Sequence, residues 1–213
     1  MCIRDSLAAA QTDEGIRSLR ELLAPDRPAW RPTVAWQIDP FGHAAATPAL
    51  LDHLGFRAVV VNRVSRADRD DIIAHRARHF AWTSSETDDP ASRGVRAHLL
   101  RRHYNLPETL DFDGVGKTPR TDEESRRAAR TLAEVAAEAF EGTDATRGNA
   151  MLLVGDDFRF ARAEETFEAW ERVLDRVDET SASSEVGDAP RRAMGTSAAV
   201  SYTHLTLPTI LRV

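Results

Sequence analysis

The sequence predicts an α/β fold, with a mainly parallel sheet and flanking helices, and three observations carry that prediction. Short apolar runs recur at 33–38, 56–61 and 149–154, the first two rich in β-branched residues. Helical periodicity fills the segments around them. The first two runs are separated by one short helical segment, so strand, helix and strand fit within about 30 residues, the span of a βαβ unit with parallel strands.

The elements follow in order. Residues 12–23 place Ile16, Leu19, Leu22 and Leu23 at helical spacing, and Pro25, Pro28 and Pro32 end that helix. Residues 33–38, Thr-Val-Ala-Trp-Gln-Ile, read as a buried strand running into the turn Asp39-Pro40-Phe41-Gly42. Residues 47–54 form a short helix closed by Gly55, and 56–61 a second strand of nearly continuous apolar residues, as expected where both faces are covered. Helix is predicted at 68–78, a short strand at 78–82 and a polar loop at 83–92. The arginine-rich span 93–103 predicts a basic helix that Tyr104-Asn105-Leu106-Pro107 breaks. Thr121-Asp-Glu-Glu124 is a capping box, a hydroxyl for the first free amides and a glutamate reaching back, and it opens the helix 122–141 that Gly142 closes. The third strand, 149–154, ends at Gly155-Asp156-Asp157. Residues 164–177 are amphipathic, with Phe167, Trp170, Val173, Leu174 and Val177 on one face. Beyond 178 serine, alanine and glycine rise and periodicity fails.

Composition narrows the function classes. The 213 residues carry 28 basic and 34 acidic side chains, a net charge of −6, and the 42% hydrophobic fraction suffices for a core. Lys117 is the one lysine, and the arginines are spread among acids with no basic block, so nucleic acid is a poor partner. No apolar run approaches the roughly 20 residues that span a bilayer. Cys2 is the one cysteine, which excludes an internal disulfide framework and a thiolate zinc site. Arginine in place of lysine suggests GC-rich coding and, on composition alone, a bacterial cytoplasmic protein. Oligomeric state is not legible.

In parallel α/β sheets, ligands meet the carboxyl ends of the strands. The three predicted strands end in charge, at Asp39, at Arg63 and at Asp156-Asp157. In one parallel sheet, two acids and a guanidinium would share a rim. Two carboxylates facing each other across a sugar suit glycosidic cleavage, and a carboxylate rim equally suits a divalent metal. Capping of the following helices explains Asp39 and Asp156 as well as catalysis does.

The wording of the motif shifts that balance. Ala35-Trp36-Gln37-Ile38-Asp39-Pro40-Phe41-Gly42-His43 resembles the Trp-x-Ile-Asp-Pro-Phe-Gly-His-Ser signature of the glycoside hydrolase family 38 α-mannosidases, with Ala44 in place of the serine. The order continues through Leu54-Gly55-Phe56, Arg63, Tyr104-Asn105 and Leu153-Val-Gly-Asp-Asp-Phe-Arg-Phe160, which is similar to that family's Gly-Asp-Asp-Phe-Arg-Tyr segment. The resemblance covers roughly 13–177 and implies an incomplete barrel-like β/α catalytic domain acting on α-linked mannosides. By that resemblance Asp39 is the nucleophile of a retaining mechanism and a zinc ligand, and Asp157 the general acid and then base. Burial beside Asp156 would favour the proton that Asp157 must hold. The resemblance also gives Phe41 an apolar face for the sugar, while Arg63, Tyr104, Asp156 and Arg159 bind hydroxyls or orient the acids. The plain alternatives are a core phenylalanine and surface ion pairs. His43 reads as a structural histidine holding the turn. His75 and His79, four apart on a predicted helix, could share a metal, but without a third ligand they read as a solvated face.

The resemblance implies three further zinc ligands, a His-x-Asp pair and a later histidine, that this sequence lacks. Met1-Cys2-Ile3-Arg4 and Ser201-Tyr202-Thr203-His204 are translations of one inverted DNA repeat, and the ends resemble translated sequencing adapters. The expected organisation is therefore adapter at 1–6, partial family 38 catalytic domain at 7–180, a tail of uncertain frame at 181–199, and adapter at 200–213. Such a fragment is expected to be inactive alone and to bind zinc weakly. The competing readings are a metal-dependent deacetylase or phosphohydrolase on a similar barrel, and a carbohydrate-binding module without chemistry.

Overall fold

β-Branched and aromatic runs become the first two strands. In the computed structural model, which describes residues 3–84, 94–113, 117–143, 149–160, 162–183, 191–192, 199–201 and 204–212, the chain divides into two units, Met1–Leu100 and Arg101–Val213.

The first unit contains α1 (Ile3–Leu23), β1 (Val34–Gln37), α2 (Thr47–His53), β2 (Ala58–Val61), α3 (Arg66–Ala74), β3 (His79–Trp82) and β4 (Val95–Leu99). The expected βαβ unit is present: β1 and β2 pair in parallel with α2 between them, Gln37 opposite Val61. The sheet order is β1-β2-β4-β3, with β4 parallel to β2 and β3 antiparallel to β4. Ile16, Leu51, Leu54, Val59, Val61 and Leu99 pack into one core. Ser65 caps α3, accepting from the Asp68 N–H at 3.0 Å. From α3, Arg69 Nη1 donates to Leu100 O at 2.5 Å and Nη2 to Asn62 O and Oδ1, tying down the ends of β4 and β2 beside Arg63.

Two expectations in this unit are corrected. The basic helix of 93–103 is instead β4: Val95, Ala97 and Leu99 are buried while Arg96 is exposed, so a period of two governs the segment. His75 and His79 do not share a helix. His75 caps the end of α3 and His79 opens β3. The polar loop predicted at 83–92 lies mostly outside the described residues.

The described residues of the second unit form a 3₁₀ turn (Glu108–Leu110), α4 (Asp122–Glu138), β5 (Asn149–Val154), α5 (Ala163–Ser183), β6 (Arg191–Arg192), β7 (Ala199–Ser201) and β8 (His204–Arg212). The capping box forms as predicted, Glu124 N–H to Thr121 Oγ1 at 3.2 Å and Thr121 N–H to Glu124 Oε2 at 3.0 Å. Leu110, Phe112, Leu132, Leu152, Trp170 and Val173 anchor the core between α4, α5 and β5. Burial of a leucine such as Leu132, fully enclosed, stabilises by roughly 1.5–3 kcal/mol.

The third strand does not join the first sheet. β5 pairs antiparallel with β8, from the span expected to be adapter, and β6 and β7 also pair β8. An unpaired strand edge accepts any extended segment within reach, and β8 is rich in leucine, isoleucine and threonine. The aperiodic region beyond 178 begins inside α5, which continues to Ser183, and α1 begins at Ile3, within the span expected to be adapter. Among the described strands no barrel closes: the first sheet is open. No helix among the described residues is long and apolar enough to cross a membrane.

Candidate active site

β1 ends at Gln37, buried Ile38 follows, and Asp39 emerges next at the carboxyl end of the parallel pair. Arg63 emerges two residues after β2. Its Nε donates to Asp39 Oδ1 at 2.8 Å and its Nη2 lies 2.6 Å from the same oxygen. The guanidinium carbon also stands 4.3 Å from the Phe41 ring centroid, a cation–π contact that holds the aromatic beside the carboxylate. Phe41 is 86% exposed, so the core reading fails and the ring is available as an apolar platform. Gly42 turns the chain with φ of +115°, open to glycine but strained for any other residue. His43 packs edge-on against Trp82, centroids 5.4 Å apart, with burial lowering its pKa, consistent with a structural role.

In the second unit, β5 delivers Asp156 and Asp157 at its carboxyl end. Asp156 is half-buried, and its Oδ1 accepts from the Asp157 N–H at 2.9 Å. Asp157 is exposed, so the burial expected around it is not present in this chain. Phe158 and Phe160 both have left-handed backbones, φ of +58° and +66°. Each such residue costs on the order of 1–3 kcal/mol unless its surroundings hold it. Between them Arg159 donates from Nε to Asp113 Oδ2 at 2.8 Å and from Nη2 to Asp113 O at 3.2 Å and to Asp111 Oδ1. Burial pushes the Asp111 carboxyl up, but hydrogen bonds from Arg159 and Lys117 outweigh it and leave the group below its ordinary value. Asp111, Asp156, Arg159, Thr166 and Trp170 line a cavity of about 80 Å³. Tyr104, 4% exposed, stacks on His103 with centroids 3.9 Å apart.

The geometry thus joins Asp39, Arg63 and Phe41 in one unit and Asp156, Asp157 and Arg159 in the other. The description "Glycosyl hydrolases family 38 N-terminal domain" matches residues 8–192. The chain belongs to this family. Relatives of the family 38 domain include alpha-mannosidase E of Dictyostelium discoideum, 27% identical over 66% of this chain and 12% of that protein. A probable alpha-mannosidase of Arabidopsis thaliana is 30% identical over 69% of this chain and 14% of its own. The lysosomal alpha-mannosidase of Felis catus is 27% identical over 76% of this chain and 16% of its own. The family 38 domain described here therefore spans about an eighth to a sixth of the length of the curated relatives it matches.

The residues of this family 38 domain do not by themselves fit a zinc ion. Arg63 occupies Asp39 Oδ1, and among the described residues no three His, Cys, Asp or Glu side chains gather as ligands. Asp111 and Asp113 are the functional candidates that the sequence did not expose. Their pairing with Arg159 spans 46 to 48 residues, and the local signal was only an acidic Asp-Phe-Asp step.

Proposed function

We propose that this chain is part of the catalytic domain of a retaining, zinc-dependent α-mannosidase that hydrolyses terminal α-linked mannosides. The observation that carries the reading is the pairing of Asp39, a residue of the signature-like segment 35–43, with Arg63 beside Phe41 at the carboxyl end of two parallel strands. Arg63 fixes one carboxylate oxygen of Asp39 and thereby its direction of approach, and Phe41 offers an apolar face for the sugar ring.

In this reading Asp39 attacks the anomeric carbon while Asp157 gives its proton to the departing glycosidic oxygen, leaving a mannosyl ester on Asp39. Asp157, now a carboxylate, takes a proton from water, the water oxygen bonds to the anomeric carbon, and Asp39 departs with net retention. Such a pair works at about 5 Å separation. Tyr104, Asp156 and Arg159 serve by orienting sugar hydroxyls or the acids. Asp39 enters as one expected zinc ligand, with the ion's other ligands supplied from outside this sequence, and the 213-residue chain alone is then inactive. The same view treats 1–6 and 200–213 as adapter-derived and 181–199 as tail.

The test is hydrolysis of phenyl α-mannoside, whose leaving group needs a proton, by the protein that carries this chain. Asp39→Asn and Asp157→Asn should each lower kcat/KM on that substrate by on the order of 10²-fold or more. Near-native activity in either variant, or hydrolysis by the 213-residue chain alone, contradicts the proposal.

A further inference from the structure

We propose that Asp111 and Asp113 are positioning residues for Asp157, acting through Arg159 and the turn on which Asp157 is carried. The inference rests on the assignment of Asp157 as the acid and base. One carboxylate oxygen, Asp113 Oδ2, accepts both from the Arg159 side chain at 2.8 Å and from the Phe160 backbone N–H at 3.0 Å. The Asp113 carbonyl takes Arg159 Nη2 at 3.2 Å, and Asp111 Oδ1 takes the same nitrogen. Asp111 Oδ2 in turn holds Lys117 Nζ at 2.5 Å. Two cations face two carboxylates, so the cluster is charge-balanced within itself.

That clamp sits where the backbone needs holding. Phe158 and Phe160 bracket Arg159, and both adopt the left-handed region that aromatic residues leave when nothing retains them. Packing does not retain Phe158, which is 93% exposed. Asp157 immediately precedes it, so the direction in which the acid leaves β5 is set by a turn whose far side is fastened to Asp113. Its near side is fastened through the Asp157 N–H to Asp156. Arg159 Nε and Nη2 are committed to Asp111 and Asp113, which favours, of the two roles expected for it, orienting the acid over binding a sugar hydroxyl.

Two measurements test this. In the 213-residue chain, Asp113→Asn should speed hydrogen exchange of the Phe160 amide by about 10-fold or more while the β5 amides of 152–154 keep their rates. An unchanged Phe160 amide, or a uniform rise across the unit, overturns the clamp. Arg159→Lys, which keeps the charge but cannot bridge both carboxylates, provides a milder variant should Asp113→Asn not fold, with the same expectation. In the mannosidase carrying this chain, Asp113→Asn should lower kcat/KM about 10-fold on phenyl α-mannoside, whose leaving group needs a proton, and less than about 3-fold on the 2,4-dinitrophenyl substrate, which does not. Asp157→Asn should show the same skew, larger. Equal losses in Asp113→Asn beside a skewed Asp157→Asn overturn the positioning role alone. An unskewed Asp157→Asn refutes the acid assignment and takes this inference with it.

Discussion

Arg63 Nε donates to Asp39 Oδ1 at 2.8 Å, joining the ends of two neighbouring parallel strands across 24 residues of sequence. The register explains the meeting. Gln37 opposite Val61 sets residues 38 and 39 beside 62 and 63, and Arg69 secures the Asn62 carbonyl that precedes Arg63. The Phe41 ring then lies under the guanidinium, so one cation organises both the carboxylate and the exposed aromatic.

Replacing that guanidinium should therefore harm function more than stability. Arg63→Lys loses the fork geometry and much of the stacking on Phe41, and misdirection of Asp39 should lower kcat/KM by on the order of 10²-fold. The paired side chains are 31% and 37% exposed, so the stability change should stay below about 1 kcal/mol. Steady-state kinetics beside a urea titration separates the two. A large stability loss with unchanged kinetics would contradict the assigned role.

Gly94 should resist any side chain. Its φ is +65°, and a Cβ there would stand 2.2 Å from the Trp82 carbonyl oxygen on β3. Gly94→Ala should cost at least about 2 kcal/mol and loosen the β3–β4 pairing that supports Trp82 and His43. Chemical denaturation of the variant measures the loss.

Acidification should weaken the first unit through His98. Its Nδ1 lies 2.7 Å from His79 Nε2, on the directly paired strands β4 and β3. Burial, then the nearby Arg78 cation and His79, lowers its pKa from 6.5 to about 4. The unfolded chain thus binds the proton first, so stability is full above about pH 6.5 and is lost as pH falls toward 4. About 1 kcal/mol should be gone by roughly pH 5.5 and on the order of 3 kcal/mol by pH 4. Urea midpoints at about pH 7.5 and 5.5 should differ less in His98→Gln than in the unsubstituted chain. An equal difference would show that another group carries the pH dependence.

Metal removal tests the zinc expectation. Under the proposed function, activity of the protein carrying this chain should vanish on chelation and return with zinc but not with magnesium, because the histidine ligands that the family resemblance implies beside a carboxylate would favour zinc. Activity that survives chelation with the metal content measured as nil removes zinc from the account.

Local signals made much of this fold legible. The cap at Thr121, the proline stops after α1 and the apolar runs of β1, β2 and β5 each arise within a few residues, where propensity and periodicity act. The Asp39–Arg63 pair was legible as a shared rim because one βαβ unit links its two strands. β4 was misread because arginine density hid a short alternation of Val95, Ala97 and Leu99. The Arg159 clamp and the partner of β5 were not legible. Both depend on contacts between segments far apart in sequence, which neither propensity nor spacing encodes.

The most direct test of the central claim is to trap the sugar on the chain. A fluorinated mannosyl fluoride that forms its ester quickly and hydrolyses slowly should be incubated with the protein carrying this sequence and the digest read by mass spectrometry. The account predicts one mannosyl label on the peptide containing Asp39, absent in Asp39→Asn. A label on another residue, or turnover that releases the inverted anomer with no label, would contradict it.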